Sequence, residues 1–282
     1  MTDRPIVDLL RCPFCVSPLG GDVHGTVRCA DGHAFDANRR GYLTLFPRKR
    51  PNVRGDTAEM LAARERVLDS EPYRQLRGAV ADAVADGAPE GAVLADLGCG
   101  TGQYASTSLA GLQAPATALV ADLSPEAVRA AVRRVREASA APALGVVLDL
   151  WSPLPIATGV VDRALNVFAP RNLPEFARVL APGGRLITVI PSPSHLAELR
   201  GAGGMIDVQS GKREQVRSDA AEAGLRLHDA TRVAGELPAS TPLADDLVQM
   251  GPSAHHASTG RPARFAGPVT VDVELLVFTR AG

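Results

Sequence analysis

Four residues near the start of the chain have the types and spacing of a metal-ligand set: Cys12, Cys15, Cys29 and His33. The Cys-x2-Cys pair and the Cys-x3-His pair are short enough for each to occupy one tight turn, so both can converge on one ion. Thiolate and imidazole donors in a closed four-ligand site are typical of zinc. Because four protein ligands leave no position for a reactive water, we expect a structural ion. His24 is an alternative ligand, but its place between the two pairs does not allow a short clip with Cys29.

A second candidate site is a glycine loop that follows an apolar segment at residues 93–97. This segment is predicted to be a strand, and its carboxyl end delivers Gly98, Gly100 and Gly102. Open α/β sheets bind ligands at this end of their strands, and glycines let the backbone approach a ligand closely. The dinucleotide fingerprint would need its third glycine where Gln103 stands. A dinucleotide-dependent dehydrogenase is therefore disfavoured.

Three acidic residues lie at or near the ends of successive predicted strands. Asp96 immediately precedes the glycine loop, and Asp122, followed by Leu123, is placed to accept hydrogen bonds from two ribose hydroxyls. Asp149 is placed for an adenine amino group, with Leu150 against the ring. Each aspartate alone is more often an ordinary turn residue. Together with the loop, they predict an S-adenosylmethionine site.

The elements that must position these residues follow from periodicity. Helices are predicted at residues 57–70, 74–86, 212–223 and 242–250, and another runs from the N-cap Ser124 to about residue 137. Strands are predicted at 93–97, 118–121, 145–148, 163–167 and 185–190, with a proline-glycine turn at 182–184. This alternation predicts an α/β fold with a mostly parallel, Rossmann-like sheet. Two late strands, at 225–233 and 269–279, are expected to add an antiparallel edge, and 251–268 is expected to be a loop.

Length and charge divide the 282 residues into unequal parts. Residues 1–46 are too few to fold without a metal, so loss of the ion is expected to unfold them and leave donor binding nearly intact. Residues 1–54 carry nine Lys or Arg against five Asp or Glu, a net charge of +4. Six of these cations lie close together in the sequence, interleaved with Tyr42 and Phe46: Arg39, Arg40, Arg48, Lys49, Arg50 and Arg54. This pattern favours nucleic-acid binding over a merely solvated linker.

Compartment and redox state follow from what the chain lacks. No apolar segment has the length of a signal peptide or a membrane helix, so we expect a cytoplasmic protein without a membrane partner. Three of the four cysteines belong to the metal set and Cys99 lies in the glycine loop. Reduced thiols in the cytoplasm favour metal binding over disulfides.

Many short segments, in order, resemble the RlmA family of zinc-containing methyltransferases, which act on guanine N1 in a hairpin of large-subunit ribosomal RNA. They include Arg11-Cys12-Pro13-x-Cys15, Gly32-His33-x-Phe35-Asp36, Gly55-Asp56-Thr57-Ala58-Glu59-Met60, Ala63-Arg64, the loop 96–102, the stretch 166–172, His195-Leu196-Ala197-Glu198-Leu199 and Met250-Gly251-Pro252-Ser253. The stretch 166–172 is most similar to the branch that protects antibiotic producers against tylosin-type macrolides.

The resemblance implies further site residues and partners. It implies zinc on the Cys3His set, donor contacts from Tyr73, Gly100, Thr101 and His195, and dimers that pair around an RNA-binding cleft. Without the resemblance, Tyr73 is an ordinary packing residue and His195 a loop histidine. His255 stands where relatives tend to carry tryptophan, so the chain departs from the family pattern at this position.

These observations predict a methyltransferase acting on guanine N1 of 23S ribosomal RNA and conferring macrolide resistance. Residues 1–46 would be a zinc-binding RNA-recognition module, 47–72 a basic linker and helix, and 73–282 the methyltransferase domain. The catalytic base is unknown, although Asn166 and Asp149 are expected near the guanine. Phe168 is either a stacking surface for an extruded base or a core aromatic. A small-molecule methyltransferase and a non-enzymatic zinc RNA-binding protein remain alternatives.

Overall fold

The N-terminal segment folds into a small antiparallel sheet beside a much larger one. The computed structural model describes residues 5–47, 55–112, 116–201, 211–250, 265 and 267–281. After a 3₁₀ turn at Ile6–Leu9, the strands β1 (Gly20–Gly21), β2 (Thr26–Arg28) and β3 (Ala34–Asp36) pair in that order. The next strand, β4 (Tyr42–Thr44), belongs to the large sheet.

Two helices then lead into the large sheet, as the sequence predicts. α1 (Ala58–Leu68) begins at the N-cap Thr57, whose hydroxyl accepts a hydrogen bond from the Met60 N–H, and α2 (Glu71–Ala85) carries a proline in its first turn. Both start signals are local, which is why pattern reasoning finds them. Each helix buries one apolar stripe.

Within the described residues, the large sheet has eight strands in the order β10-β11-β9-β8-β5-β6-β7-β4. From β9 to β4 in this order, each strand pairs in parallel with the next. By contrast, β11 is antiparallel to both of its neighbours, β9 and β10. The remaining strands are β5 (Val93–Leu97), β6 (Thr117–Asp122), β7 (Ala143–Val147), β8 (Val161–Val167), β9 (Leu180–Pro191), β10 (Leu225–Ala239) and β11 (Gly267–Arg280). The predicted Rossmann-like sheet with an antiparallel last strand is confirmed.

In the part of the chain that the structure describes, six further helices connect these strands: α3 (Gln103–Gly111), α4 (Pro125–Ala138), α5 (Leu173–Val179), α6 (Ala197–Gly201), α7 (Lys212–Glu222) and α8 (Thr241–Gln249). α4 begins at the predicted cap Ser124. Among the described residues no helix is both long and apolar enough to traverse a bilayer.

One turn prediction has a different outcome. The residues 182–184 lie inside β9, where the pairing jumps from Val161 with Leu180 to Arg163 with Arg185. The extra residues bulge out while the strand continues on both sides. A proline-glycine sequence forms a bulge here because the neighbouring strand still supplies partners beyond it.

The β7–β8 connection, residues 148–160, contains no helix, unlike the helical crossovers that usually join parallel strands. The N-terminal segment pairs with this connection instead. The Arg11 N–H donates to the Pro155 carbonyl at 3.0 Å, and the Ala157 N–H donates to the Leu9 carbonyl at 2.8 Å. The described N-terminal segment 5–46, which carries the predicted metal ligands and is called the metal module below, thus lies where a crossover helix would otherwise cover the sheet.

The apolar core agrees with this position of the metal module. It is divided between the two faces of the large sheet, and the module contributes to one of them. One face packs against α2, α3 and α4. The opposite face packs against α5, α7 and apolar side chains of the metal module, among them Leu10, Val27 and Leu43. Gly145 of β7 allows the close approach on the first face, since a Cβ there would lie 2.5 Å from Val128 and 2.9 Å from the Tyr42 Cβ. The metal module and the large sheet therefore share one core.

Candidate methyl-donor and metal sites

The structure brings the four predicted metal ligands together. One donor atom from each of Cys12, Cys15, Cys29 and His33 lies within 4.8 Å of all the others. The Cys15 and Cys29 sulfurs are 3.6 Å apart, and the His33 Nδ1 lies 3.4 Å from the Cys29 sulfur. Tetrahedral zinc with bonds of about 2.3 Å to sulfur places its ligands about 3.8 Å apart, so the cluster fits zinc.

Two neighbouring groups orient this cluster. The Phe14 N–H points at the Cys12 sulfur at 3.5 Å, and the Phe14 ring meets the His33 ring edge-on at a centroid distance of 5.1 Å. Backbone N–H groups commonly donate hydrogen bonds to metal-bound thiolates and so hold them in place. His24 is exposed and is not part of the cluster, so the choice of His33 over His24 agrees with the geometry.

The glycine loop lies where the strand order reverses, because β5 lies between β6 and β8. Such switch points are the binding crevices of open α/β sheets. The Gly98 and Cys99 N–H groups both donate to the Ala121 carbonyl at the end of β6. A Cβ on Gly98 would lie 2.3 Å from the Ala169 Cβ, and one on Gly102 would lie 2.7 Å from the Ala131 Cα. Only glycine fits at these two positions.

Asp122 fixes this loop. Its Oδ2 accepts the Gly100 N–H at 3.0 Å and its Oδ1 accepts the Ser124 N–H at 2.9 Å. Burial raises the carboxyl pKa, which these two backbone hydrogen bonds partly counter. Leu123 lies half-buried beside it. Since a carboxylate oxygen can accept more than one hydrogen bond, both oxygens keep capacity for ribose hydroxyls.

Several buried polar atoms around the loop have no partner among the described residues. They are Asp96 Oδ2, Gln103 Nε2, Ser108 Oγ and the hydroxyls of Tyr73 and Tyr104. Burial, assisted by the charge of Asp122, raises the pKa of Asp96 to about 7. Buried polar groups are normally hydrogen-bonded, so such a group of exceptions indicates a ligand site. A polar cofactor with amino, carboxylate and hydroxyl groups fits these residues.

Other predicted contacts lie near the loop with different local roles. Thr101 is buried, and its hydroxyl donates to the Gln103 amide oxygen at 2.5 Å. Asp149 accepts the Trp151 N–H and the Ser152 hydroxyl, so it caps its own turn. The Leu150 side chain would contact a Cβ on Gly98 at 3.5 Å, which places it against the loop.

His195 is buried and held in one orientation. Its Nδ1 accepts the Asp272 N–H at 3.2 Å, and its ring stacks on Phe168 with centroids 5.8 Å apart. Burial, assisted by Arg200, lowers its pKa to about 4. The ring is therefore neutral near pH 7, with the proton on Nε2. A histidine in this state donates a hydrogen bond but does not accept a proton.

The exposed Phe168 ring is held by a backbone with positive φ, 52°. Asn166, fully buried below it, donates to the Leu97 and Pro170 carbonyls at 3.0 and 2.9 Å. Its amide nitrogen is therefore committed to shaping the 167–170 turn. Strained backbone of this kind concentrates at functional sites. Phe168 is 40% exposed and thus not a core aromatic.

Sequence reasoning missed Arg64 as a site residue. The Arg64 guanidinium forms an ion pair with Asp56 and would contact a Cβ on Gly100 at 3.3 Å, so it lies over the loop. The sequence could have indicated this position, because Arg64 lies one helical turn from both Met60 and Leu68, which are on the buried face of α1. A cation at such a position points towards the interior of the protein. Arg48, Lys49, Arg50, Arg54, His255 and most of the predicted loop 251–268 lie outside the described residues.

Comparisons with known proteins support a zinc-binding N-terminal segment and a methyltransferase domain. Residues 10–52 match the N-terminal zinc-ribbon family of RlmA, and residues 94–184 match a methyltransferase domain family. A solved structure of geranyl diphosphate methyltransferase with S-adenosylmethionine shares the fold, with a TM-score of 0.51 and 19% identity, covering 82% of this chain and 93% of that one.

Two relatives match nearly the whole chain. The 23S rRNA (guanine(748)-N(1))-methyltransferase of Streptomyces fradiae is 38% identical, over 93% of this chain and 91% of its own. A Micromonospora griseorubida protein, provisionally named 23S rRNA (guanine-N(1)-)-methyltransferase, is 38% identical over 93% of both chains. The chain belongs to the RlmA-type family of 23S ribosomal RNA (guanine-N1)-methyltransferases.

Proposed function

We propose that this protein methylates N1 of a guanine in a hairpin loop of 23S ribosomal RNA. The observation that carries the proposal is the 38% identity, over 93% of the chain, to the Streptomyces fradiae enzyme named for that reaction. Its cofactors are S-adenosylmethionine and structural zinc. The orphaned polar atoms at the glycine loop and the tetrahedral spacing of the Cys3His cluster support both.

The bound donor supplies a methyl group on a positively charged sulfur, so alignment is the main task of the protein. We assign the donor to residues around the glycine loop: Tyr73, Asp96, Gly98, Gly100, Thr101, Gly102, Asp122, Leu123, Asp149, Leu150 and His195. Arg64 is added to them, since its guanidinium is suited to the donor carboxylate. His195 acts as a hydrogen-bond donor here rather than as the base that removes the N1 proton.

The remaining assignments concern the substrate side. Residues 1–46 act as the RNA-recognition module, 47–72 connect it, and 73–282 carry out methyl transfer. The exposed Arg39 and Arg40, in a segment with net positive charge, support contact with RNA phosphates. A homodimer, a cytoplasmic location and resistance to tylosin-type macrolides complete the proposal.

The experiment is methyl transfer to unmodified 23S ribosomal RNA with labelled donor, followed by mapping of the labelled nucleotide by mass spectrometry. We expect a single N1-methylguanine, and Asp122→Ala serves as the inactive control. Label found only in a macrolide would favour the small-molecule alternative. A wild-type protein that binds RNA but not the donor would favour the non-enzymatic one.

Resistance is tested separately in cells. Expression of the wild type in a sensitive strain is expected to raise the inhibitory concentration of tylosin, whereas Asp122→Ala is expected to leave it unchanged. Equal inhibitory concentrations for both strains would remove the resistance assignment without affecting the methylation assignment.

A further inference from the structure

The single tryptophan of the chain, Trp151, is unusually exposed. Among the described residues, four large apolar side chains are exposed, and Trp151 is the most exposed of them at 66%. An indole buries a large apolar area when it packs, so leaving it in water forgoes stabilisation that most proteins use. The other three lie in the metal module or beside the donor loop: Phe14, Val16 and Phe168.

The backbone that carries Trp151 is firmly held. Its own N–H donates to the Asp149 Oδ1 at 3.0 Å, and the Ser152 hydroxyl donates to the Asp149 Oδ2 at 2.9 Å. The Asn172 amide donates to the Leu150 and Ser152 carbonyls, on either side of the tryptophan. The ring is therefore presented by a turn with fixed geometry, which limits the entropy lost when a ligand stacks on it.

The same connection touches both functional sites. On one side of Trp151, Leu150 lies against Gly98 of the donor loop. On the other side, Pro155 accepts the Arg11 N–H of the metal module at 3.0 Å. The exposed indole thus lies on the stretch of chain that joins the predicted RNA-recognition module to the donor site.

We propose that Trp151 is a stacking platform for an unpaired base of the substrate RNA, between the metal module and the base that is methylated. The inference rests on the proposed function. RNA loops expose unstacked bases, and aromatic rings beside basic segments bind them. Leu150, the residue before Trp151, lies against the donor loop where the RNA base must arrive, and this favours an RNA base over an apolar partner. The sequence of residues 1–54 also carries a net charge of +4, which complements the RNA backbone.

Because Trp151 is the only tryptophan, intrinsic fluorescence of the full-length protein reports on this ring alone. The probes are the methyl donor alone, an RNA hairpin taken from the methylated region, and a fully paired duplex RNA of the same length. We expect the hairpin to quench the tryptophan emission and the duplex to quench it less. The donor alone is expected to leave most of the emission intensity unchanged.

Substitutions give the second measurement, with labelled hairpin RNA followed by anisotropy. Trp151→Ala is expected to weaken hairpin binding on the order of tenfold. Trp151→Phe, which keeps an aromatic face, is expected to retain most of the affinity. Donor affinity and the unfolding midpoint are expected to stay close to wild type in both variants, because the ring is mostly in water.

Three outcomes would contradict the proposal that Trp151 is a stacking platform. They are unchanged hairpin affinity in Trp151→Ala, quenching by the donor alone but not by RNA, and conversion of a dimer to a monomer by Trp151→Ala. The second outcome would assign the ring to the donor pocket and the third to contact between copies. Failure of the proposed function is distinguishable, since it would appear as missing methyl transfer by the wild type whatever the behaviour of Trp151.

Discussion

At the scale of single residues, Asp96 is the most informative group of the donor site. Only 2% of the residue is exposed, its Oδ2 has no partner among the described residues, and burial raises its pKa to about 7. A protein that required only stability would place a neutral group here. We therefore interpret Asp96 as a carboxylate kept for the cationic donor.

Asp96→Asn is expected to separate stability from donor binding. The folded-state pKa of Asp96 is raised above its unfolded value, so its contribution to stability is present at low pH and is lost as pH rises towards 7. Between pH 5.5 and 8 the wild type is expected to lose about 2 kcal/mol of unfolding free energy relative to the variant.

Urea unfolding of donor-free protein at the two pH values measures this difference, and titration calorimetry measures the donor affinity. The variant is expected to bind the donor more weakly because a neutral amide is a poorer partner for a cation. An identical pH dependence in both proteins would contradict the buried-carboxylate interpretation.

At the scale of elements, the glycine loop is defined by what packs against it. Gly98 has a φ of +94°, and the Ala169 side chain of the β8–α5 connection occupies the space that a Cβ would need. The loop thus depends on Ala169, seventy-one positions further along the chain. Gly78, in the middle of α2, has no atom within 4 Å of a Cβ and no positive φ.

Gly98→Ala and Gly78→Ala form a matched pair. Gly98→Ala is expected to lower the unfolding free energy by at least about 2 kcal/mol, through the clash and the left-handed backbone. Gly78→Ala is expected to raise it by up to about 1 kcal/mol, because alanine is the better helix former. Urea unfolding measures both, and a similar change in the two variants would argue against this loop geometry.

At the scale of the whole molecule, the metal module is part of the sheet's cover. β4 extends the sheet beside β7, and the module supplies apolar side chains to the second face where the β7–β8 connection lacks a helix. Loss of the metal is therefore expected to destabilise the entire chain. This differs from the expectation, drawn from sequence, that residues 1–46 unfold alone.

His33→Ala tests this coupling, with His24→Ala as the control outside the cluster. His33→Ala is expected to lower the zinc content and to reduce the unfolding free energy by more than about 3 kcal/mol, part of the 10–16 kcal/mol typical of structural zinc in peptides. The donor affinity of His33→Ala is expected to fall together with its stability. His24→Ala is expected to keep the zinc content, the stability and the donor affinity of the wild type. Elemental analysis, urea unfolding and calorimetry measure these effects. Increased amide exchange confined to residues 5–47, with unchanged donor binding, would instead support an independent module.

Local sequence patterns were enough to predict a metal site, a donor site and most of the helices and strands. The Cys3His spacing, the glycine loop, the caps Thr57 and Ser124 and the alternation of strands and helices are all signalled within a few residues, and local geometry sets them. Resemblance to the RlmA family added the expectation of RNA. These features required no knowledge of which distant segments meet.

How these parts are joined became visible only in the three-dimensional structure. The pairing of β4 with β7, the placement of Arg64 over Gly100 and the packing of Ala169 against Gly98 connect residues that are far apart in the chain. Such contacts depend on the order of strands and on the space left between packed layers, neither of which leaves a local pattern. The lack of a helix in the β7–β8 connection is a feature of the same kind. Its consequence can be understood only when the metal module is seen to cover that part of the sheet.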